Sequence, residues 1–259
     1  MGDTAFLAID VSNSEIVLGV YEHRVLRHHW RLQTDSGRTA DEYGVLVRSL
    51  LGGVTHAPIR GVAVASVVPP MASVVDLLCR QYLGVTPLVV GPGVRTGMPI
   101  LYDKPQEVGA DRIVNAIAAY ERTGRTTIIV DFSTATTVFD YVSEKGEYVG
   151  GVIAPGLGIA SDALFERAAK LYRVELVKPK HVVGRNTVHA IQSGLIYGYV
   201  ALVDGLVTRI QKENRVTARV MATGRFAPLL APECETIDDV DEFLTLDGLR
   251  LLYERNAED

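Results

Sequence analysis

The stretch 7–21, LAIDVSNSEIVLGVY, returns in pattern 121 positions later as 128–142, IIVDFSTATTVFDYV. That offset lays Asp10 on Asp131, Ser12 on Ser133 and Val17 on Val138, with Leu7 and Ile9 against Ile128 and Val130. Each copy runs as an apolar strand, an aspartate, a small polar turn and a second apolar strand, the pattern of a buried β-hairpin. A spacing this long does not suit a stacked solenoid, whose units are far shorter, and points to two related domains.

The segments between the copies alternate strand and helix. IRGVAVASVV, stopped by Pro69-Pro70, reads as a buried strand. DEYGVLVRSLL and MASVVDLLCRQYL read as helices, the second with Val74, Leu77, Leu78 and Tyr82 along one face. TPLVVG is a short strand. DRIVNAIAAYERTG carries a stripe of Ile113, Ala116, Ile117 and Tyr120 and ends at Gly124. In the second half, YVGGVIAPGLGIASDALFERAAKL reads as a glycine-rich turn leading into a helix. NTVHAIQSGLIYGYVALVDGLVTRIQ reads as a long helix in which Gly194, Gly198 and Gly205 would permit close packing. ERAAKLYRVELVKPK is expected to be a solvated basic helix and loop, and RVMATGRFAPLLA a strand and turn. Alternation of this kind favours two α/β domains, expected at 1–120 and 121–259, with a cleft between them.

Composition narrows the partners. A chain of 259 residues with 47% hydrophobic and 22% charged residues has the make-up of a globular protein. Its net charge of −5 gives no basic footprint for nucleic acid. Cys79 and Cys234 match no metal or redox spacing and are expected to be reduced thiols of a cytoplasmic protein. No secretory leader is visible, and no segment is expected to span a membrane.

The two hairpin tips carry the chemistry. Backbone amides and small hydroxyls can hold phosphate oxygens, and a carboxylate can hold a hydrated Mg²⁺. Taken singly, Asp10 and Asp131 fit simple Asx-turns equally well. Their occurrence at matching positions, with a third small turn at 222–225 (ATGR), moves the balance toward polyphosphate binding. A further constellation, Gly109-Ala110-Asp111-Arg112, opens the clearest helix. Asp111 fits a helix N-terminus on dipole grounds alone. It also sets a carboxylate beside a guanidinium, one suited to take a hydroxyl proton and the other to hold a polar substrate. His28, His29 and Trp30 read as packing or surface residues.

Several long segments resemble the type III pantothenate kinases of the acetate kinase, sugar kinase, Hsp70 and actin superfamily. They are RTADEYG at 38–44, YDKPQEVGADRIVNA at 102–116, DFSTATT at 131–137, GGVIAPGLGI at 150–159, NTVHAIQSG at 186–194 and FLTLDGLRLLYERN at 243–256. The resemblance runs nearly end to end. It implies two ribonuclease H-like, actin-like ATPase domains and ATP-dependent phosphorylation of pantothenate, the first step toward coenzyme A. It further implies a homodimer. The ATP-binding stretch falls on Asp10, Val11, Ser12, Asn13, Ser14, Glu15, Ile16 and Val17, with Thr134 as a further ATP contact. Asp10 is the implied Mg²⁺ carboxylate and Asp131 the implied ligand of a monovalent cation, K⁺ or NH₄⁺. Tyr102, Gly109, Ala110, Asp111, Arg112 and Thr187 are the implied pantothenate contacts, with Asp111 as the base.

Three positions depart from the family pattern. Ser12 and Ser133 stand where glycine follows each turn aspartate, and Arg225 where the third turn carries a second glycine. Glycine there would let the backbone approach phosphate and would permit positive φ. Two readings follow: an active kinase with altered nucleotide binding, or a weakened or inactive relative with a binding or regulatory role. A sugar-kinase-like enzyme with another small hydroxyl substrate is disfavoured by the match around Asp111.

Overall fold

The computed structural model describes residues 4–55, 57–167 and 171–257. The chain forms two compact units. The first comprises Met1–Met98, Asp103–Ala118 and Thr245–Asp259, and the second Pro99–Tyr102 and Ala119–Leu244.

The first unit is built on β1 (Ala5–Val11), β2 (Glu15–Glu22), β3 (Val25–Gln33), β4 (Ile59–Ser66) and β5 (Leu88–Val89), in the sheet order β3-β2-β1-β4-β5. β1 to β3 form an antiparallel meander, while β4 and β5 lie parallel to β1. Helices make the crossovers: α1 (Ala40–Gly52) joins β3 to β4, and α2 (Pro69–Leu78) joins β4 to β5. α1 starts at a capping box. Thr39 Oγ1 accepts the Glu42 amide, and the Glu42 carboxylate accepts the Thr39 amide at 2.8 Å. The prolines that stop β4 occupy the first turn of α2, where their missing N–H groups cost nothing. α2 does not continue as one regular helix to Leu83. Cys79–Leu83 forms a π turn that ends at Gly84 with φ +67°. Leu7, Ile9, Leu18, Val62, Val64 and Met71 fill the core of this unit.

The second unit repeats the plan with β6 (Thr127–Phe132), β7 (Thr136–Val142), β8 (Tyr148–Pro155), β9 (Arg219–Thr223) and β10 (Asp239–Val240), in the order β10-β9-β6-β7-β8. Strand for strand, this is the first sheet again. Asp10 pairs with Val17 across β1 and β2, and Asp131 with Val138 across β6 and β7. The central strands β1, β4 and β6 are apolar runs buried on both faces, as expected of strands flanked by helices.

Between β8 and β9 run α4 (Leu157–Arg167) and α5 (Thr187–Asn214), and α6 (Ala227–Leu230) follows β9. The helix α3 (Ala110–Thr123) ends at Gly124, φ +59°, and α7 (Leu244–Ala257) closes the chain. Two hydrogen bonds tie α7 into the first unit: Thr245 Oγ1 to Asn115 Oδ1 at 2.8 Å and Tyr21 Oη to Asp247 Oδ1 at 2.6 Å.

Four expectations change. YVGGVIAP is the edge strand β8 rather than a turn. Its glycines serve a bulge opposite Tyr141 and Val142, where Gly150 has φ +149°. Gly194, Gly198 and Gly205 do not mark close packing among the described residues, since a β-carbon on any of them would meet none of their atoms within 4 Å apart from α5's own backbone. The segment after α4 is not simply solvated. Val174 is buried, Leu171 and Leu176 pack on the core, and Gln192 Nε2 donates to Glu175 O at 2.9 Å. Residues 168–170 of that segment lie outside the described residues. Finally, α5 is long and apolar enough to cross a membrane by length and composition. In this fold Ile191, Leu195, Ile196, Tyr199, Val203 and Val207 of α5 fill the core of the second unit.

Candidate active site

In the first unit the β1–β2 hairpin shapes the turn at Asp10. Val11 and Ile16 point into the core, so only their backbone borders the tip, while Asp10, Ser12, Ser14, Glu15 and Val17 are half-buried and Asn13 is exposed. Ser12 closes the turn: its amide donates to Glu15 O at 2.9 Å and its Oγ donates to the same carbonyl at 3.1 Å. Thr34 clamps the turn from outside, donating through Oγ1 to Ser12 O at 2.7 Å and through its amide to Ser14 O at 3.1 Å. Sequence reasoning missed Thr34, because its distance along the chain hides the contact.

Gly109 to Arg112 form the N-terminal turn of α3 in the same unit. Asp111 Oδ1 accepts the Arg112 amide at 2.8 Å. Burial is the largest influence on Asp111 and raises its pKa, against the opposing pull of that amide and of the Arg112 guanidinium. Arg112 is itself buried. The site thus holds a carboxylate with raised proton affinity beside a desolvated cation, a pairing suited to proton transfer next to a polar or anionic substrate.

In the second unit Asp131 is buried near the end of β6, and Ser133 Oγ donates to its Oδ1 at 3.0 Å. Gly224, in the ATGR turn, has φ +89°, and a β-carbon there would collide with Asp131 Oδ1. Thr134 is packed under the start of α4: its carbonyl accepts the Ile159 amide at 3.3 Å, and a β-carbon on Gly158 would fall 2.6 Å from its Cγ2. The glycines of GGVIAPGLGI therefore let the α4 terminus close on the Asp131 turn. Tyr102 leans on β8, its ring 6.4 Å from that of Tyr148 and 3.7 Å from a β-carbon built on Gly150. Thr187 begins α5 just after its cap Asn186, whose Oδ1 accepts the His189 amide at 2.8 Å. Thr187 lines a cavity of about 730 Å³ with Leu164, Leu171, Ile191 and Leu195, and none of the other nominated residues borders it.

The three departures from the family pattern sit comfortably. Among the described non-glycine residues only His23, Arg24 and Arg215 have positive φ, so Ser12, Ser133 and Arg225 occupy ordinary backbone. Neither serine forces its turn open, and each hydroxyl is hydrogen-bonded within it. No cluster of three or more His, Cys, Asp or Glu side chains occurs among the described residues. The carboxylate of Asp10 fits Mg²⁺ that draws its remaining ligands from phosphates and water. Asp131, a buried carboxylate that accepts the Ser133 hydroxyl, offers the hard oxygen that a singly charged cation takes.

Comparison with known proteins places the chain in a family. The family model for type III pantothenate kinase matches residues 6–209. A type III pantothenate kinase of Geobacter sulfurreducens is 56% identical over 254 residues, covering 97% of this chain and 99% of that protein. The fold is shared more widely. Component A of (R)-2-hydroxyglutaryl-CoA dehydratase from Acidaminococcus fermentans superposes with a TM-score of 0.60 at 11% identity, covering 99% of this chain and 100% of that one. The psk41 ParM protein superposes with a TM-score of 0.52 at 10% identity, covering 99% and 98%. The family match over residues 6–209, the 56% identity across nearly the full length of both chains and the twofold-repeated sheet plan lead to one assignment: the chain belongs to the type III pantothenate kinase family, on the actin-like ATPase fold.

Proposed function

We propose that the chain transfers the γ-phosphoryl group of ATP to the terminal hydroxyl of pantothenate, giving 4′-phosphopantothenate and ADP. Asp111 carries this reading, as a carboxylate at a helix start whose burial raises its proton affinity, in a chain 56% identical to a type III pantothenate kinase.

Phosphoryl transfer asks for alignment and charge neutralisation more than for covalent help. In this reading the hydroxyl oxygen forms a bond to the γ-phosphorus, the bond to the bridging oxygen of ADP breaks, and Asp111 takes the hydroxyl proton. Arg112, Gly109, Ala110, Tyr102 and Thr187 bind and orient pantothenate. The turn from Asp10 to Val17 and Thr134 hold the nucleotide. Asp10 would hold Mg²⁺ and Asp131 the monovalent cation; when bound, these ions neutralise phosphate charge. The active form is a homodimer in the cytoplasm.

The test is a coupled assay at millimolar ATP with pantothenate, Mg²⁺ and KCl. Phosphopantothenate should form, with loss of about 10²–10⁴-fold in kcat for Asp111→Asn. A wild-type rate no higher than that of Asp111→Asn overturns the reading.

A further inference from the structure

The two halves of the repeat differ at one buried position beside the turn aspartates. In the parallel register of the first sheet Asp10 lies opposite Ala65 of β4, and in the second sheet Asp131 lies opposite Thr223 of β9. Paired residues on neighbouring strands project from the same face of a sheet. The second unit therefore places a hydroxyl beside its aspartate where the first places a methyl group. Thr223 is 1% exposed, and its Oγ1 has no hydrogen-bond partner among the described residues. A buried hydroxyl left unmatched is costly, and natural folds keep one where something else satisfies it.

The surroundings say what that something is. Ser133 Oγ donates to Asp131 Oδ1 at 3.0 Å and fixes the carboxylate. The turn at Gly224, φ +89°, closes on the same oxygen so tightly that no side chain fits there. The result is a buried carboxylate that carries the Ser133 hydroxyl and has a second hydroxyl, that of Thr223, in register on the same face of the sheet, a set of hard oxygen donors. Hard cations take oxygen ligands of this type.

We propose that Thr223 Oγ1 is a second protein oxygen of the monovalent-cation subsite built on Asp131, and that this hydroxyl distinguishes the cation-holding half of the repeat from the half at Asp10. The proposal rests on the reading of Asp131 as the cation's carboxylate.

The test uses the purified full chain and needs no turnover. KCl is titrated at constant ionic strength, with choline chloride as the balance, and the thermal unfolding midpoint is followed. Wild type should show saturable stabilisation by KCl. Thr223→Val should raise the half-saturating KCl concentration about tenfold or more, Thr223→Ser should restore it, and Asp131→Asn should abolish the response. In choline alone Thr223→Val should unfold no lower than wild type, because it removes an unmatched hydroxyl while keeping the side chain's shape. ATP binding by calorimetry in KCl and in choline supplies a second readout. Equal loss of ATP affinity in both salts for Thr223→Val would put the hydroxyl on a phosphate and overturn the proposal. So would a Thr223→Val response to KCl matching wild type, or no response in wild type. Pantothenate phosphorylation is assayed separately. Its absence alongside a Thr223-dependent potassium response would sink the kinase reading and leave this one standing, and the reverse pattern would do the opposite.

Discussion

A β-carbon at position 109 would stand 2.5 Å from Asp111 Oδ1, so Gly109 is what gives the carboxylate its room. The same carboxylate oxygen accepts the Arg112 amide, which holds it against the helix start. Gly109→Ala should therefore push the carboxylate off its position while leaving the helix intact. Misplacing a reacting group by about 1 Å costs on the order of 10²-fold in rate. We expect kcat to fall by about that factor with the KM for ATP unchanged and stability altered by less than about 1 kcal/mol. Steady-state kinetics with urea unfolding check this, and a rate within about twofold of wild type would contradict it.

Asp111 also gives the fold a pH signature. Burial raises its pKa, so ionising it in the folded chain is harder than in the unfolded chain. The resulting destabilisation is absent below the ordinary carboxylate range, near pH 4, and grows as pH climbs through the raised pKa. Asp111→Asn cannot ionise and escapes it. The variant should unfold at a higher temperature than wild type at pH 8, and the gap should close toward pH 4. In wild type the acid limb of kcat/KM should lie above the range of an ordinary aspartate. Thermal scans from pH 4 to pH 8 decide the first point, and a variant less stable than wild type at pH 8 would refute it.

The repeat was legible because it preserves register. Asp10 with Val17 and Asp131 with Val138 are local hairpin pairs, close enough along the chain for the offset of 121 to expose both. Thr223 and Ala65 could not be read this way. They reach their aspartates through parallel pairing across long crossovers, and the crossover in the second unit carries the two helices α4 and α5 where the first carries α1 alone. β8 was hidden by composition, since Gly150 and Gly151 resemble a turn until the bulge opposite Tyr141 gives them a place in a strand.

Ser12 is a structural residue of the turn rather than an obstruction in it. Its hydroxyl donates to Glu15 O, and its backbone does not need glycine's freedom. Ser12→Gly loses that hydrogen bond, worth about 0.5–1.5 kcal/mol, and gains unfolded-chain entropy worth about 0.5–1 kcal/mol. We expect the variant to be less stable by about 1–2 kcal/mol by urea unfolding, with no gain in ATP affinity. A clear fall in the KM for ATP would show instead that the serine obstructs the phosphates.

Gly224 should be among the least replaceable residues of the second unit. Its φ of +89° is one that side chains rarely adopt, and a β-carbon would also strike Asp131 Oδ1 and the backbone of Phe132. The conformational strain alone costs about 1–2 kcal/mol, and the collision adds to it by moving either the turn or the carboxylate. If the carboxylate moves, the damage is local to Asp131. Gly224→Ala should then lose about 2 kcal/mol or more in urea unfolding and also lose stabilisation by KCl, two effects that a merely strained surface turn would not couple. Loss of stability with an unchanged potassium titration would place the relaxation in the turn and separate Gly224 from the Asp131 site.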